Sequence, residues 1–455
     1  ASRPEGQEKP EAGPEAAALA ERLRWSYPYA ADVEIPSKLT ATQLKGRALD
    51  GEVAEGTRES GQRGEAEPEP RRRAFHQRPR FAQEAFGLTP AQRGTALHLV
   101  MQFIDFARTG TVEEIRAEIA RLVDRAFLTP AQGEASVRQA LADDLNRRYG
   151  TGYTADHFYL TAGAAGALCC ALSALGCPGD QFLTFAPYFP EYKVFVESAG
   201  AQLVAVPARL EDFQIDFAAL EAALSPQVKG VIINSPNNPT GVVYSQETIR
   251  RLAQMLGEKS RAYGHPIWLI SDEPYREIVY QTAPLPWVPD FYDNTLVCYS
   301  YSKSLSLPGQ RIGYVLVPPQ AEEADLVYAA ICGAGRALGY VCAPSLFQLV
   351  VARCAGQTAD MAVYRRNRDL FLDALRSMGY TCAQPEGAFY LFPRSLEPDA
   401  AAFCERARKY DLILVSGDSF GCPGHVRISY CVPTEQIQRA LPKFRALARE
   451  YGVGG

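Results

Sequence analysis

The chain has 455 residues, 47% of them hydrophobic, which is enough for buried cores in two or three domains. Its 47 lysines and arginines against 52 acids leave a net charge of −5, which argues against nucleic acid or an anionic membrane as a bulk partner. Eleven cysteines without CxxC or Cys/His spacing fit reduced thiols in the cytosol, and the longest apolar run, Ala162 to Cys177, is too short and glycine-rich to span a bilayer.

Residues 1 to 134 differ from the rest, and no signal-peptide pattern follows Ala1. Ala16 to Trp25 has the pattern of a short helix. Residues 1–94 are otherwise expected to be mostly disordered, since Gly51 to Arg73 has almost no large apolar side chain. Its acids and Arg71, Arg72 and Arg73 read as a solvated linker. Residues 95–133 read as helical. Thr95 to Phe106 places Leu97, Val100, Met101 and Ile104 on one face, and Thr111 with Glu114 forms a capping box for a helix to Phe127. A third helix starts at Thr129-Pro130 and runs toward Tyr149.

Three phrases, WSYPYAADVEIPSKLTATQLKGR, FGLTPAQRGTALHLVMQFIDF and RAFLTPAQ, resemble the AddA-type subunit of bacterial ATP-dependent helicase-nucleases over residues 22–132. That resemblance matches His98 to a metal-binding histidine of the nuclease. The acidic partners and a P-loop do not follow, so His98 reads as a polar residue on an apolar helix and no metal is expected. The resemblance implies a junction of two unrelated genes near Gln132 to Ala135, either a natural fusion or an artificial chimera.

From Glu134 onward strands and helices alternate. Apolar strands are expected at 158–160, 182–185, 202–206, 230–233, 267–271, 295–300 and 313–317. The pattern predicts an open, mainly parallel seven-stranded α/β sheet with helices on both faces, in a large domain over 134–330. Residues 321–355 read as largely helical. A smaller α+β domain over 331–455 has strands at 388–392, 412–415 and 426–430.

Ligands of such sheets bind at the carboxyl ends of the strands. There the chain places Gly163, Ala164 and Ala165 at a helix start suited to a phosphate, then the aromatic corner Pro187-Tyr188-Phe189-Pro190, then the polar turn Asn234 to Gly241. Asp272 ends an apolar run, where an acid is costly unless it meets a cation. Tyr275 follows it. Lys303 sits after another strand in YSYSKSLSLPGQRIGY, with Arg311 beyond, and a partly desolvated amine can form a Schiff base.

The phrases NNPTG, SDEPYREIVY, YSKSLSLPGQRIGY, EGAFYLF and VRISY resemble the fold-type I pyridoxal-phosphate aminotransferases of class I/II, in the aspartate aminotransferase superfamily, from Glu134 to the C-terminus. The resemblance implies pyridoxal 5'-phosphate as cofactor, Lys303 as its Schiff-base anchor and Asp272 as partner of the ring nitrogen. Asn238 and Tyr275 would bind the ring hydroxyl and Phe189 would stack on the ring. Ser300, Arg311 and the amides of Gly163, Ala164 and Ala165 would hold the phosphate, and Arg427 the substrate carboxylate. It implies ping-pong transfer between an amino acid and a 2-oxo acid, with Lys303 also moving the Cα proton, in a cytoplasmic homodimer. The family's N-terminal arm, gating loop and phosphate-contacting tyrosine have no counterpart in LTPAQGEASVRQAL, so cofactor binding is expected to persist while transamination is impaired. A C–S β-lyase and a non-catalytic helicase-nuclease fragment are the alternatives.

Overall fold

The computed structural model describes residues 134–207, 209–281 and 284–453. The linker and helices expected before Gly133, and His98 with them, lie outside the described residues. Helix α1 (Glu134–Tyr149) opens the described chain, burying Val137, Leu141, Ala142 and Leu145 on one stripe.

Seven strands follow: β1 (Phe158–Thr161), β2 (Gln181–Phe185), β3 (Gln202–Val206), β4 (Val228–Asn234), β5 (Trp268–Asp272), β6 (Thr295–Ser300) and β7 (Gly313–Leu316). They form one sheet in the order β1-β7-β6-β5-β4-β2-β3. β2 through β6 pair in parallel, whereas β7 is antiparallel to both β6 and β1. All residues of β5 and β6 are buried, as expected of strands covered on both faces. The covering helices are α2 (Gly163–Leu175), α3 (Glu191–Ser198), α4 (Phe217–Ala223) and α5 (Gln246–Tyr263). In α5 the Ser245 side chain accepts from the Thr248 amide and so caps the helix, while Ile249, Leu252, Ala253 and Leu256 face the sheet. A single turn, α6 (Tyr301–Ser304), links β6 to the loop before β7.

The stretch expected to be largely helical is two helices, α7 (Ala324–Ala337) and α8 (Ser345–Arg353). α7 ends in a turn where Gly339 takes φ +80, and Pro344, which holds its predecessor out of the helical region, precedes the start of α8. α8 turns back onto α1, where Val351 shares a core with Val137 and Leu141.

The C-terminal part is α9 (Met361–Ser377), β8 (Tyr390–Leu391), α10 (Ala400–Arg408), β9 (Val415–Ser416), β10 (Val426–Ser429) and α11 (Thr434–Glu450). Its three strands form an antiparallel sheet in the order β8-β10-β9, over a core of Phe371, Phe403, Phe444 and Leu447. Tyr275 and Ile278, from beyond β5, enter that same core. No disulfide joins any of the cysteines among the described residues. No helix of the described residues is long and apolar enough to cross a membrane.

Candidate active site

Register brings the chemistry together. Gly313, the first residue of β7, pairs with Thr161 at the end of β1 and with Ser300 at the end of β6. A side chain on Gly313 would run into the Tyr299 carbonyl and the backbone of Gly163, so this close approach requires glycine. Asn234 and Asp272 are paired at the ends of β4 and β5. The carboxyl ends of β1, β4, β5 and β6 therefore share one edge.

At that edge lies a cavity of about 340 Å³ whose walls include Ala164, Ala165, Phe189, Asn238, Asp272, Tyr275, Ser300, Lys303, Arg311 and Arg427. Ten residues expected from six separated stretches of sequence are thus assembled in one place. Gly163 stands behind Arg311, at φ +79, and a Cβ there would lie 2.6 Å from the Arg311 Nη2. A larger groove of about 790 Å³ runs past Arg250, His265, Asp293 and Asn294. It lies at the amino ends of β5 and β6, the opposite edge from these residues.

One end of the cavity is built for an anion. α2 has no capping side chain at Ala162, so its first amides are free to donate. Arg311 donates through Nη2 to the Ala162 carbonyl at 3.1 Å and through Nη1 to the Pro308 carbonyl at 3.0 Å, which fixes the guanidinium against that helix start. Ser300 Oγ and Ser302 Oγ lie 2.7 Å apart beside it. Sequence reasoning named Ser300 but not Ser302, which reaches the cradle because α6 is a tight turn.

Asp272 is 4% exposed. The Tyr192 hydroxyl donates to its Oδ2 at 2.5 Å, and its Oδ1 is buried without a hydrogen-bond partner among the described residues. Burial pushes the carboxyl up to about 7 against the pull of the Tyr192 hydrogen bond, with Glu273 adding to the rise. An unpaired buried acceptor of this kind suits a cationic ligand. Asn234 holds the strand end by donating to the Asp272 carbonyl at 2.8 Å, and its Oδ1 accepts from the Asn238 amide at 2.7 Å.

Lys303, half-buried on α6, has its Nζ 5.2 Å from the Phe389 ring centre and 5.9 Å from that of Tyr275. Burial lowers its pKa from the ordinary lysine value; the Cys431 thiol opposes this, and Arg427 and Arg311 add to the lowering. The Tyr275 hydroxyl meets the Tyr390 hydroxyl at 2.9 Å. Arg427, on β10, donates through Nη1 to Asn238 Oδ1 at 2.9 Å and lies over the rings of Tyr390 and Phe420 at 4.8 and 4.9 Å. The small sheet thus delivers a cation to the large sheet's edge. Tyr192 and Tyr390 carried no role in the sequence reading, although Tyr390 stands in the phrase EGAFYLF and Tyr192 lies two residues beyond the corner Pro187-Tyr188-Phe189-Pro190. The gate and extra tyrosine sought before α1 fall outside the described residues.

The model of the class I and II aminotransferases matches residues 102–444. An aspartate/prephenate aminotransferase of Thermus thermophilus is 31% identical over 376 residues, covering 79% of this chain and 96% of that protein. A solved aminotransferase from Eubacterium rectale is 50% identical with a TM-score of 0.69, covering 80% of this chain and 87% of that one. The Thermotoga maritima aspartate aminotransferase structure is 25% identical, with a TM-score of 0.63, over 77% of this chain and 99% of that one. The family match begins at residue 102, ahead of the junction expected at Gln132 to Ala135, and these likenesses lend no support to a helicase-nuclease fusion. The chain belongs to the class I and II aminotransferases, and so to the pyridoxal-phosphate-dependent transaminases of fold type I.

Proposed function

We propose that this chain moves an amino group between an amino acid and a 2-oxo acid, with residues 134–330 holding pyridoxal phosphate and 331–455 supplying Arg427. The observation that carries the reading is the buried, unpartnered Oδ1 of Asp272, on the wall of a cavity that also holds Lys303 and the Arg311 cradle. Those three features fit the cofactor's ring nitrogen, aldehyde and phosphate respectively.

When bound, the cofactor supplies an aldehyde for covalent attachment and a ring that accepts the electron pair left when the Cα–H bond breaks. Lys303 is its anchor and, once released, the base that takes the Cα proton and returns it. An amine held below the ordinary lysine range by burial is neutral at lower pH, which suits both tasks. Asp272 would place a negative charge beside the ring nitrogen. Asn238 and Tyr275 would serve the ring oxygen, Phe189 would cover the ring, and Ser300 with Arg311 and the amides of Gly163, Ala164 and Ala165 would take the phosphate. Arg427 grips the substrate carboxylate, kept in place by Asn238. A cytoplasmic homodimer is part of the reading. The names of the relatives make aspartate the first donor to assay.

The test is to add pyridoxal phosphate, reduce with borohydride and map the modified peptide by mass spectrometry. A cofactor adduct on Lys303, absent in Lys303→Ala, is expected, together with bleaching of the visible absorbance by amino donors. A colourless protein with no adduct refutes the proposal. Pyruvate and ammonia released from cystathionine would instead assign β-lyase chemistry.

A further inference from the structure

Lys303 stands on a helix of a single turn, and so short a helix does not hold its own shape. Within the turn, Ser300 Oγ accepts from the Ser302 amide at 3.2 Å and the Leu305 amide reaches the Tyr301 carbonyl at 3.3 Å, both long. The firmer ties come from outside it. Ser304, the residue after Lys303, is 2% exposed, and its carbonyl accepts from the Ala359 amide at 2.8 Å. Its Oγ lies 2.8 Å from the hydroxyl of Tyr299, near the end of β6.

Tyr299 is buried as well. Its ring stacks on Tyr314 with centroids 5.0 Å apart, and the Arg276 guanidinium lies over it at 4.7 Å. Its hydroxyl donates to Glu277 Oε2 at 2.6 Å, and Glu277 Oε1 accepts from Arg148 Nη1 at 3.0 Å. Burial, with the Glu277 carboxylate adding to it, pushes the phenol well above its ordinary range, so it keeps its proton. That one proton goes to the carboxylate, which leaves the Tyr299 oxygen to accept from Ser304. The bonds therefore run one way, from Ser304 to Tyr299 to Glu277, and end at an ion pair with α1, where Arg148 is also held by Asp144 Oδ2 at 2.5 Å. A buried phenol needs only one polar partner. Tyr299 has two, and the second belongs to the turn that carries Lys303.

We propose that Tyr299 is a positioning residue for Lys303: through Ser304 it fixes the one-turn helix so that the amine stays at the cavity wall, and Glu277, braced by Arg148, orients the bond. The inference rests on the anchor and base roles given to Lys303 under the proposed function. Without the Tyr299 hydroxyl the turn loosens and the amine gains water, which relieves the burial that lowers its pKa. Arg311, Arg427 and Cys431, the other groups that act on the amine, stay in place, so a shift reports on the turn.

The experiment labels the cofactor-free chain with acetic anhydride across a range of pH and follows the Lys303 peptide by mass spectrometry, for the wild type, Tyr299→Phe, Ser304→Ala and the double variant. The midpoint for Lys303 is expected to rise by about half a unit in either single variant, the scale of one hydrogen bond. The double variant should shift no further than the larger single one, because the two side chains make the same bond. Leu252→Ala, in the core under α5, should lower the urea midpoint and leave the Lys303 midpoint where it is. Loaded with pyridoxal phosphate, Tyr299→Phe should lose about ten-fold in kcat with KM within about two-fold, as expected of a misplaced base. Ser304→Ala carries the test if Tyr299→Phe does not fold. An unmoved Lys303 midpoint in the single variants overturns the proposal, as do additive shifts in the double variant or an equal shift in Leu252→Ala. A wild type that takes up no cofactor fails the functional reading instead, and the labelling of the cofactor-free chain still decides whether Tyr299 holds the turn.

Discussion

Replacing Asp272 with asparagine should stabilise the cofactor-free protein at pH 8 while weakening the loaded one. The carboxyl is pushed from 3.8 to about 7 by burial in the folded chain. A group raised on folding contributes its stability fully below its unfolded value, and that contribution is lost as pH rises through the folded value. At 1.36 kcal/mol per unit, the rise amounts to about 4 kcal/mol lost between pH 4 and 7, an upper bound because water entering the cavity reduces the penalty. Asparagine carries no charge and still accepts from Tyr192, so it escapes this loss. Urea melts of both cofactor-free proteins at pH 5, 6, 7 and 8 should show the asparagine variant gaining on the wild type by about 3 kcal/mol across pH 5 to 7 and then level off. With saturating pyridoxal phosphate at pH 8 the order should reverse, since the ring cation restores the partner the wild type lacks. A stability difference that stays constant across the pH range would refute the reasoning.

Arg427→Lys should raise KM for amino and oxo acids about 10- to 100-fold with a smaller change in kcat, because an ammonium cannot make the paired hydrogen bonds of a guanidinium; steady-state kinetics check it. Gly163→Ala should weaken cofactor binding about ten-fold by equilibrium titration, since its Cβ would stand 2.6 Å from Arg311 Nη2 at a positive φ. Arg276→Leu should destabilise the protein by about 3–5 kcal/mol in urea melts, because it strands the buried Glu273 carboxylate, 2.5 Å from the Arg276 Nε.

Much of this architecture is legible along the chain because its determinants are local. The apolar runs of β5 and β6 and the capping serine of α5 specify their elements without reference to distant residues. The strand-end positions of Asp272, Lys303 and Asn238 follow from the same pattern. The break between α7 and α8 was also written locally, in Gly339 and Pro344, but a helical period across the region masks it. Ser302 escaped because a one-turn helix leaves no period to read.

Which partners meet was decided elsewhere. An acid after an apolar strand is visible as an anomaly at Asp272, but its donor lies 80 residues earlier and reaches it only because α3 is seated against α2 and β3 with Tyr192 turned to the end of β5. Arg427 likewise comes 189 residues after Asn238 and meets it only once the small sheet is set against the large one. Hydrophobic periodicity records which side of an element is buried. It carries no information about what stands opposite, so the residues of the site were readable one by one, while the Tyr192–Asp272 and Arg427–Asn238 pairings that shape its electrostatics were set by tertiary packing.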